Sequence, residues 1–300
     1  MAETAVDALF DREYLRRLEA LSLAARQLVR GRMKAERRSS ARGSSVEFAE
    51  YRPFTAGDDW RYIDWNAFAR WRQLVLKLFV EEEDLHIHFL LDGTASMDWG
   101  TPNKFDYARQ VVAGLGYMGL GNLDRISVVP LGGEPAQWWL PSRGRDRFLP
   151  LLRYLAALPV IGAGAQLETA TRKWQTLKPR RGLVVLVSDL WGFDRGDALR
   201  AMDRIRYGRH ELAVIQVMDE AEQTAGIAGE YELVDAEYGH RRKIILDRAS
   251  AKEFDDNFRQ YQESVRAYCR RNRVPLLQIN TKLPVMDLLL KSLQEGGFVR

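Results

Sequence analysis

Residues 89–98 read FLLDGTASMD: an apolar run ends in Asp92, and hydroxyls follow at alternate positions, Thr94 and Ser96. A second apolar run, GLVVLVSD, ends the same way at Asp189. A carboxylate leaving a buried strand can be a nucleophile, a metal ligand, or the cap of a following helix whose first amides lack partners. Two such ends in one chain favour chemistry, because an unpaired charge is costly to bury. In a doubly wound sheet, moreover, ligands sit at the carboxyl ends of the strands. Carboxylates and hydroxyls offer only oxygen, which suits a hard cation such as Mg²⁺ that keeps waters and takes few protein ligands. The candidate metal set is Asp92, Thr94, Ser96 and Asp189.

Other chemistries find less support. The DGT at Asp92 recurs in haloacid-dehalogenase-like phosphatases, but their aspartyl nucleophile stands two residues earlier, in D-x-D-G-T, and that position is Leu90. His86 and His88 share one face of a strand, with no third His or Cys near them in sequence. The glycines at Gly162 and Gly164 lack the G-K-[ST] of a phosphate loop. No Ser-His-Asp or Cys-His set can be assembled, so the chain reads as no enzyme, with no small-molecule substrate.

The elements that must position these residues follow from hydrophobic periodicity. Strands are expected at LHIHFLLD, RISVVPL, AQWWLP, GLVVLVSD, ELAVIQVMD and PLLQINT. Helices are expected over about 104–118, 146–158, 197–206 and 251–271, after the loop VIGAGAQ, and from Pro284. Near-continuous apolar strands alternating with helices predict an α/β fold with a doubly wound, mostly parallel sheet. YELVDAE and RKIIL, separated by a turn at Gly239, predict a small β-hairpin insertion over about 229–247. At the other end, Leu15, Leu18, Leu21 and Leu28 give one amphipathic helix over Phe10–Arg30, running into the basic connector RGRMKAERRSSARGSS.

The expected division is residues 1–45 as helix and basic linker, 46–84 as a segment packed on the core, and 85–300 as the main domain. With 45 basic and 41 acidic residues the net charge is only +4, too mild for nucleic acid unless the basic residues cluster. They do cluster over 30–43, yet no aromatic residue lies between Gly31 and Ser45 to stack on bases, so nucleic-acid binding is the distant alternative. A single cysteine, Cys269, excludes an internal disulfide. No apolar stretch is long enough to span a membrane, and the early charges in MAETAVDALFDREYLRRLE do not suit a signal peptide, so the expected location is cytoplasmic.

The set Asp92-Gly-Thr94-Ala-Ser96 with Asp189 resembles the metal-ion-dependent adhesion site of von Willebrand factor A domains, whose first motif is D-x-S-x-S. Upstream, VEFAEYRPFTAGDDWRYIDWNAFARW followed by LVLKLFVEEE resembles the signature block of the DUF58 family. The matching residues include Glu47, Arg52, Asp58, Asp59, Arg61, Asp64, Trp65, Arg70 and Lys77, with Phe54 in place of a tyrosine. Read as chemistry, Asp58, Asp59 and Asp64 beside Arg52, Arg61 and Arg70 predict ion pairs that hold an irregular segment, and Trp60, Tyr62, Trp65, Phe68 and Trp71 predict buried anchors.

The resemblance implies a von Willebrand factor A-like domain working as an adaptor for MoxR-type AAA+ ATPases and a client protein. It also implies an adhesion-site Mg²⁺, weakened here because Ala165 stands where a third hydroxyl ligand is usual. A metal-free scaffold that binds partners through the 47–77 block is the alternative.

Overall fold

The computed structural model describes residues 2–21, 48–55, 57–79, 85–132, 138–160, 166–191, 196–223, 229–234 and 241–295. The expected helix is described over residues 12–21 as α2, and a helix that was not expected, α1 (Ala2–Leu9), precedes it. The break falls at Asp11, whose carboxylate accepts from the Tyr14 amide at 2.6 Å. An aspartate that can cap a new helix competes with continuing the old one. Of the predicted leucine stripe, Leu18 and Leu21 are buried and Leu15 is half-buried, with buried Phe10 and Tyr14 beside them, while Leu28 lies outside the described residues. The segment holding the basic connector lies outside the described residues.

Residues 26–84 form one compact unit and residues 1–25 with 85–300 another. In the smaller unit β1 (Phe48–Pro53) pairs antiparallel with β2 (Val75–Phe79), and α3 (Trp65–Trp71) lies between them in sequence.

The larger unit is built on β3 (His86–Asp92), β4 (Arg125–Leu131), β5 (Trp139–Ser142), β6 (Leu183–Ser188), β7 (Glu211–Met218) and, later in the chain, β10 (Leu276–Asn280). Their order is β10-β7-β6-β3-β4-β5, all parallel except β5, a four-residue edge strand containing Pro141. The α/β class with a mostly parallel sheet is therefore as expected. The helices that flank the sheet are α4 (Lys104–Gly121), α5 (Phe148–Ala157), α6 (Leu167–Thr176), α7 (Asp197–Tyr207), α8 (Arg248–Asn272) and α9 (Val285–Glu295). The hairpin insertion is present as β8 (Gly229–Val234) paired with β9 (Arg241–Leu246). Helix α8 begins before its expected start because Asp247 caps it, accepting from the Ser250 amide at 2.7 Å.

Alternation along the strands sends residues to two cores. Phe89, Leu91, Val185 and Val187 join α1, α2, α4, α5 and α9 on one face. Leu90, Leu131, Val184 and Leu186 join α6, α7 and α8 on the other. A strand covered on both faces must be apolar throughout, which is why these runs read as continuous rather than alternating. Every residue of β3 is buried, Asp92 included.

Close approach sets one residue type. A Cβ on Gly182, just before β6, would sit 2.1 Å from the His86 carbonyl oxygen, so backbone would have to shift. Gly182→Ala is expected to lower stability by about 2–4 kcal/mol, read as a shifted denaturant midpoint with unchanged slope.

Candidate functional site

Strands β3 and β6 are parallel neighbours with Leu91 opposite Val187, so Asp92 and Asp189 leave the sheet side by side at its carboxyl end. Both are buried, at 1% and 3% exposure. Asp92 Oδ1 accepts from the Thr94 amide at 3.0 Å and the Thr94 hydroxyl at 2.8 Å. Its Oδ2 accepts from the Ser188 hydroxyl at 2.5 Å. The Thr94 and Ser96 hydroxyl oxygens lie 3.0 Å apart. Three of the four predicted ligands are thus drawn together on one loop, which buried Met97 anchors.

Asp189 has a partner that sequence reasoning missed. Lys104, the first residue of α4, has no solvent exposure, and its Nζ donates to Asp189 Oδ2 at 2.8 Å and to Glu222 Oε1 at 2.5 Å. Asp189 Oδ1 accepts from the Trp191 amide at 2.8 Å. Glu222 belongs to a capping box with Asp219 just beyond β7. The helix start that delivers Lys104 is fixed by Asn103, whose side-chain oxygen accepts from the amides of Phe105 and Asp106. Ser188 could have been noticed as the hydroxyl next to Asp189; Lys104 and Glu222 carried no such signal.

Burial, with the charge of Asp189 beside it, pushes Asp92 up to about 6, although bonds from Ser188 and Thr94 favour its ionised form. Burial alone would lower Lys104, yet the carboxylates of Asp189 and Glu222 outweigh it and hold the ammonium charged. Glu222 is raised, burial outweighing the pull of Lys104.

The donor chemistry at Asp92, Thr94 and Ser96 fits a hard divalent cation, since all three offer oxygens and the Thr94 hydroxyl already touches the other two. Asp189 fits less freely, because Lys104 holds one of its oxygens. Among the described residues no three His, Cys, Asp or Glu side chains form a metal cage, so hydroxyls and water would have to complete the coordination. Ala165 and the Gly162–Gly164 loop lie outside the described residues. Cys269 is buried and its thiol is pushed up to about 11 by that burial, which leaves it un-ionised and unreactive at neutral pH.

In the signature segment, two of the expected ion pairs form: Arg52 with Asp58 at 2.6 Å and Arg61 with Asp59 at 2.6 Å. The Arg52 hydrogen bond, with bonds from Thr55, brings Asp58 down to about 2. Asp64 caps α3, accepting from the amides of Asn66 and Ala67, and also takes the Tyr51 hydroxyl at 2.9 Å. The expectation of buried aromatic anchors is corrected. Trp60, Tyr62, Trp65 and Trp71 are all more than half exposed, and Phe68 is half-buried. Helix α3 has only seven residues, and the one it buries is Ala67. Arg70 is exposed on the same helix, and Glu47 lies outside the described residues.

The family model for "Protein of unknown function DUF58" matches residues 50–264. An uncharacterized protein of Mycobacterium tuberculosis is 28% identical over 270 residues, covering 88% of this chain and 84% of that protein. One from Mycobacterium avium is 29% identical over 145 residues, covering 47% of this chain and 84% of that protein. Among solved structures, BatB of Bacteroides thetaiotaomicron is similar with TM-score 0.43 and 14% identity over 70% of this chain and 98% of that one. The VWA domain of SpRpn10 is similar with TM-score 0.43 and 15% identity over 70% of this chain and 95% of that one.

Two outcomes test the electrostatics. An acid whose folded pKa is raised stabilises the fold fully below its unfolded value, and that contribution is lost as pH rises through the folded value, here from 3.8 to about 6. Asp92→Asn, which keeps the neutral form at every pH, should therefore match the native chain near pH 4 and exceed it near pH 8 by up to about 3 kcal/mol, measured by calorimetry. Lys104→Met leaves Asp189 and Glu222 without their cation and should cost about 3–5 kcal/mol, part of it recovered when Asp92→Asn is added.

Proposed function

The chain belongs to the DUF58 family, and from that premise we propose that it is a non-enzymatic protein-interaction module that holds Mg²⁺ at Asp92, Thr94 and Ser96. Asp189 balances the site's charge together with Lys104. Asp92, Thr94 and Ser96 would hold the ion, whose positive charge would receive an acidic side chain of a partner. The partner class is a MoxR-type AAA+ ATPase, acting with this chain on a client protein.

One observation carries the reading: a buried carboxylate and two hydroxyls, linked through that of Thr94, at the carboxyl end of a parallel sheet. A metal supplies Lewis acidity and a fixed point of positive charge. The chain's own residues do the rest. Asp92 supplies negative charge, the Ser188 hydroxyl orients its second oxygen, and half-buried Ser96 adds a hydroxyl beside that of Thr94. Among the described residues, no helix is long and apolar enough to cross a membrane.

The exposed aromatics favour a second reading, in which Trp60, Tyr62, Trp65 and Trp71 meet the partner and no metal is needed. Aromatic side chains are enriched at interfaces for the area they bury.

Calorimetric titration separates the two. Under the metal reading, millimolar Mg²⁺ raises the melting temperature of the native chain near pH 8, leaves Asp92→Asn unmoved, and strengthens binding to a purified MoxR-type ATPase in the native chain alone. Equal ATPase binding by the native chain and Asp92→Asn, lost instead in Trp60→Ala/Trp65→Ala, would sink the metal reading in favour of the second.

A further inference from the structure

The sheet face that carries Leu90, Val129 and Leu131 into the core changes character at the amino-terminal end of the strands. There β3 presents His86 and His88, and β4 presents Arg125 and Ser127, in register: His86 opposite Arg125 and His88 opposite Ser127. His86, His88 and Ser127 are buried. Polar groups on an interior sheet face are expensive unless satisfied, so four in one block need a reason.

His88 is satisfied at both nitrogens: Nδ1 lies 2.7 Å from the Ser127 hydroxyl and Nε2 lies 2.9 Å from the Arg180 carbonyl. Burial pushes it down to about 4, so it is neutral at physiological pH. Trp174 and His210 pack edge-on against it, with ring centroids 5.5 and 5.7 Å away. The two histidines and their strand partners line a cavity of about 530 Å³, whose other walls include Trp138, Trp174 and Leu177, with Arg180 also lining it. Arg180 is exposed and Arg125 half-buried. Among the described residues that line the cavity there is no carboxylate.

We propose that this cavity binds a small organic anion with a flat aromatic body. Its volume falls in the range of small-molecule sites, about 300–1,000 Å³. Indole walls accept a planar ring by stacking or edge contact, and guanidinium groups recognise a carboxylate or sulfonate through paired hydrogen bonds. With His88 neutral, two guanidinium groups present and no acidic residue among the described lining residues, the local field selects an anion over a cation. Asp92 lies at the far end of β3, roughly 20 Å away at strand rise, so the proposal stands apart from the metal site.

The test uses the full chain and the fluorescent probe 8-anilinonaphthalene-1-sulfonate, with its uncharged congener N-phenyl-1-naphthylamine as control. The sulfonate is expected to bind with a Kd that rises about ten-fold or more in Arg180→Gln, while the neutral probe shifts less than about two-fold. Arg180 is exposed, so this substitution leaves folding intact; near-ultraviolet dichroism checks it, and Arg125→Gln adds a second charge removal. A sulfonate titration that is the same in the native chain and Arg180→Gln, at one site or at several, overturns the proposal, as does the absence of binding or an equal loss for both probes.

Discussion

The ammonium of Lys104 sits without solvent exposure between Asp189 and Glu222, in a strand end that also buries Asp92. Water cannot screen the carboxylates there, and like charges in such surroundings repel strongly. An internal cation makes the arrangement tenable. It also joins three parts of the chain through one nitrogen: the start of α4, the end of β6 and the turn beyond β7. The loop carrying Thr94 and Ser96 inherits its setting from that balance, because Asp92 feels Asp189 and Asp189 is held by Lys104. Any divalent ion at Asp92 would have to share this field with the lysine.

Much of this was legible in the residues. Continuous apolar runs can only be strands covered on both faces, and that alone leads to the parallel sheet and to Asp92 and Asp189 at neighbouring strand ends. The spacing of Asp92, Thr94 and Ser96 gave the loop chemistry, because alternate residues can converge on one point. Lys104 was not legible. Its partners lie 85 and 118 residues away, and a lysine in the first turn of a helix reads as solvated unless the tertiary fold is known. The aromatics of the 60–71 stretch misled for a related reason: bulk predicts burial only where a surface is there to receive it, and a seven-residue helix offers little. Asp11 is a third case, a capping residue just ahead of the leucine repeat that separates the expected helix from the unexpected α1.

The two ends of the main sheet are chemically unlike. The carboxyl end gathers acids, hydroxyls and a buried ammonium, while the amino end gathers imidazoles, indoles and guanidinium groups. Apolar layers above and below separate them. The smaller unit is built differently again, with surface ion pairs at Asp58 and Asp59 and a capped helix in place of a large core. Exposed pairs of this kind add little stability in water, so their service is geometric: they hold a short irregular stretch in one shape.

Strand β5 bears on how copies or partners can join this chain. It is the antiparallel outer strand of the sheet, four residues long, with Pro141 in it and an irregular register against β4. A proline has no amide hydrogen to offer, and a short, kinked border gives an incoming strand little to zip onto. On that side a continued backbone ladder is disfavoured, and any contact made there would rest on side chains and loops.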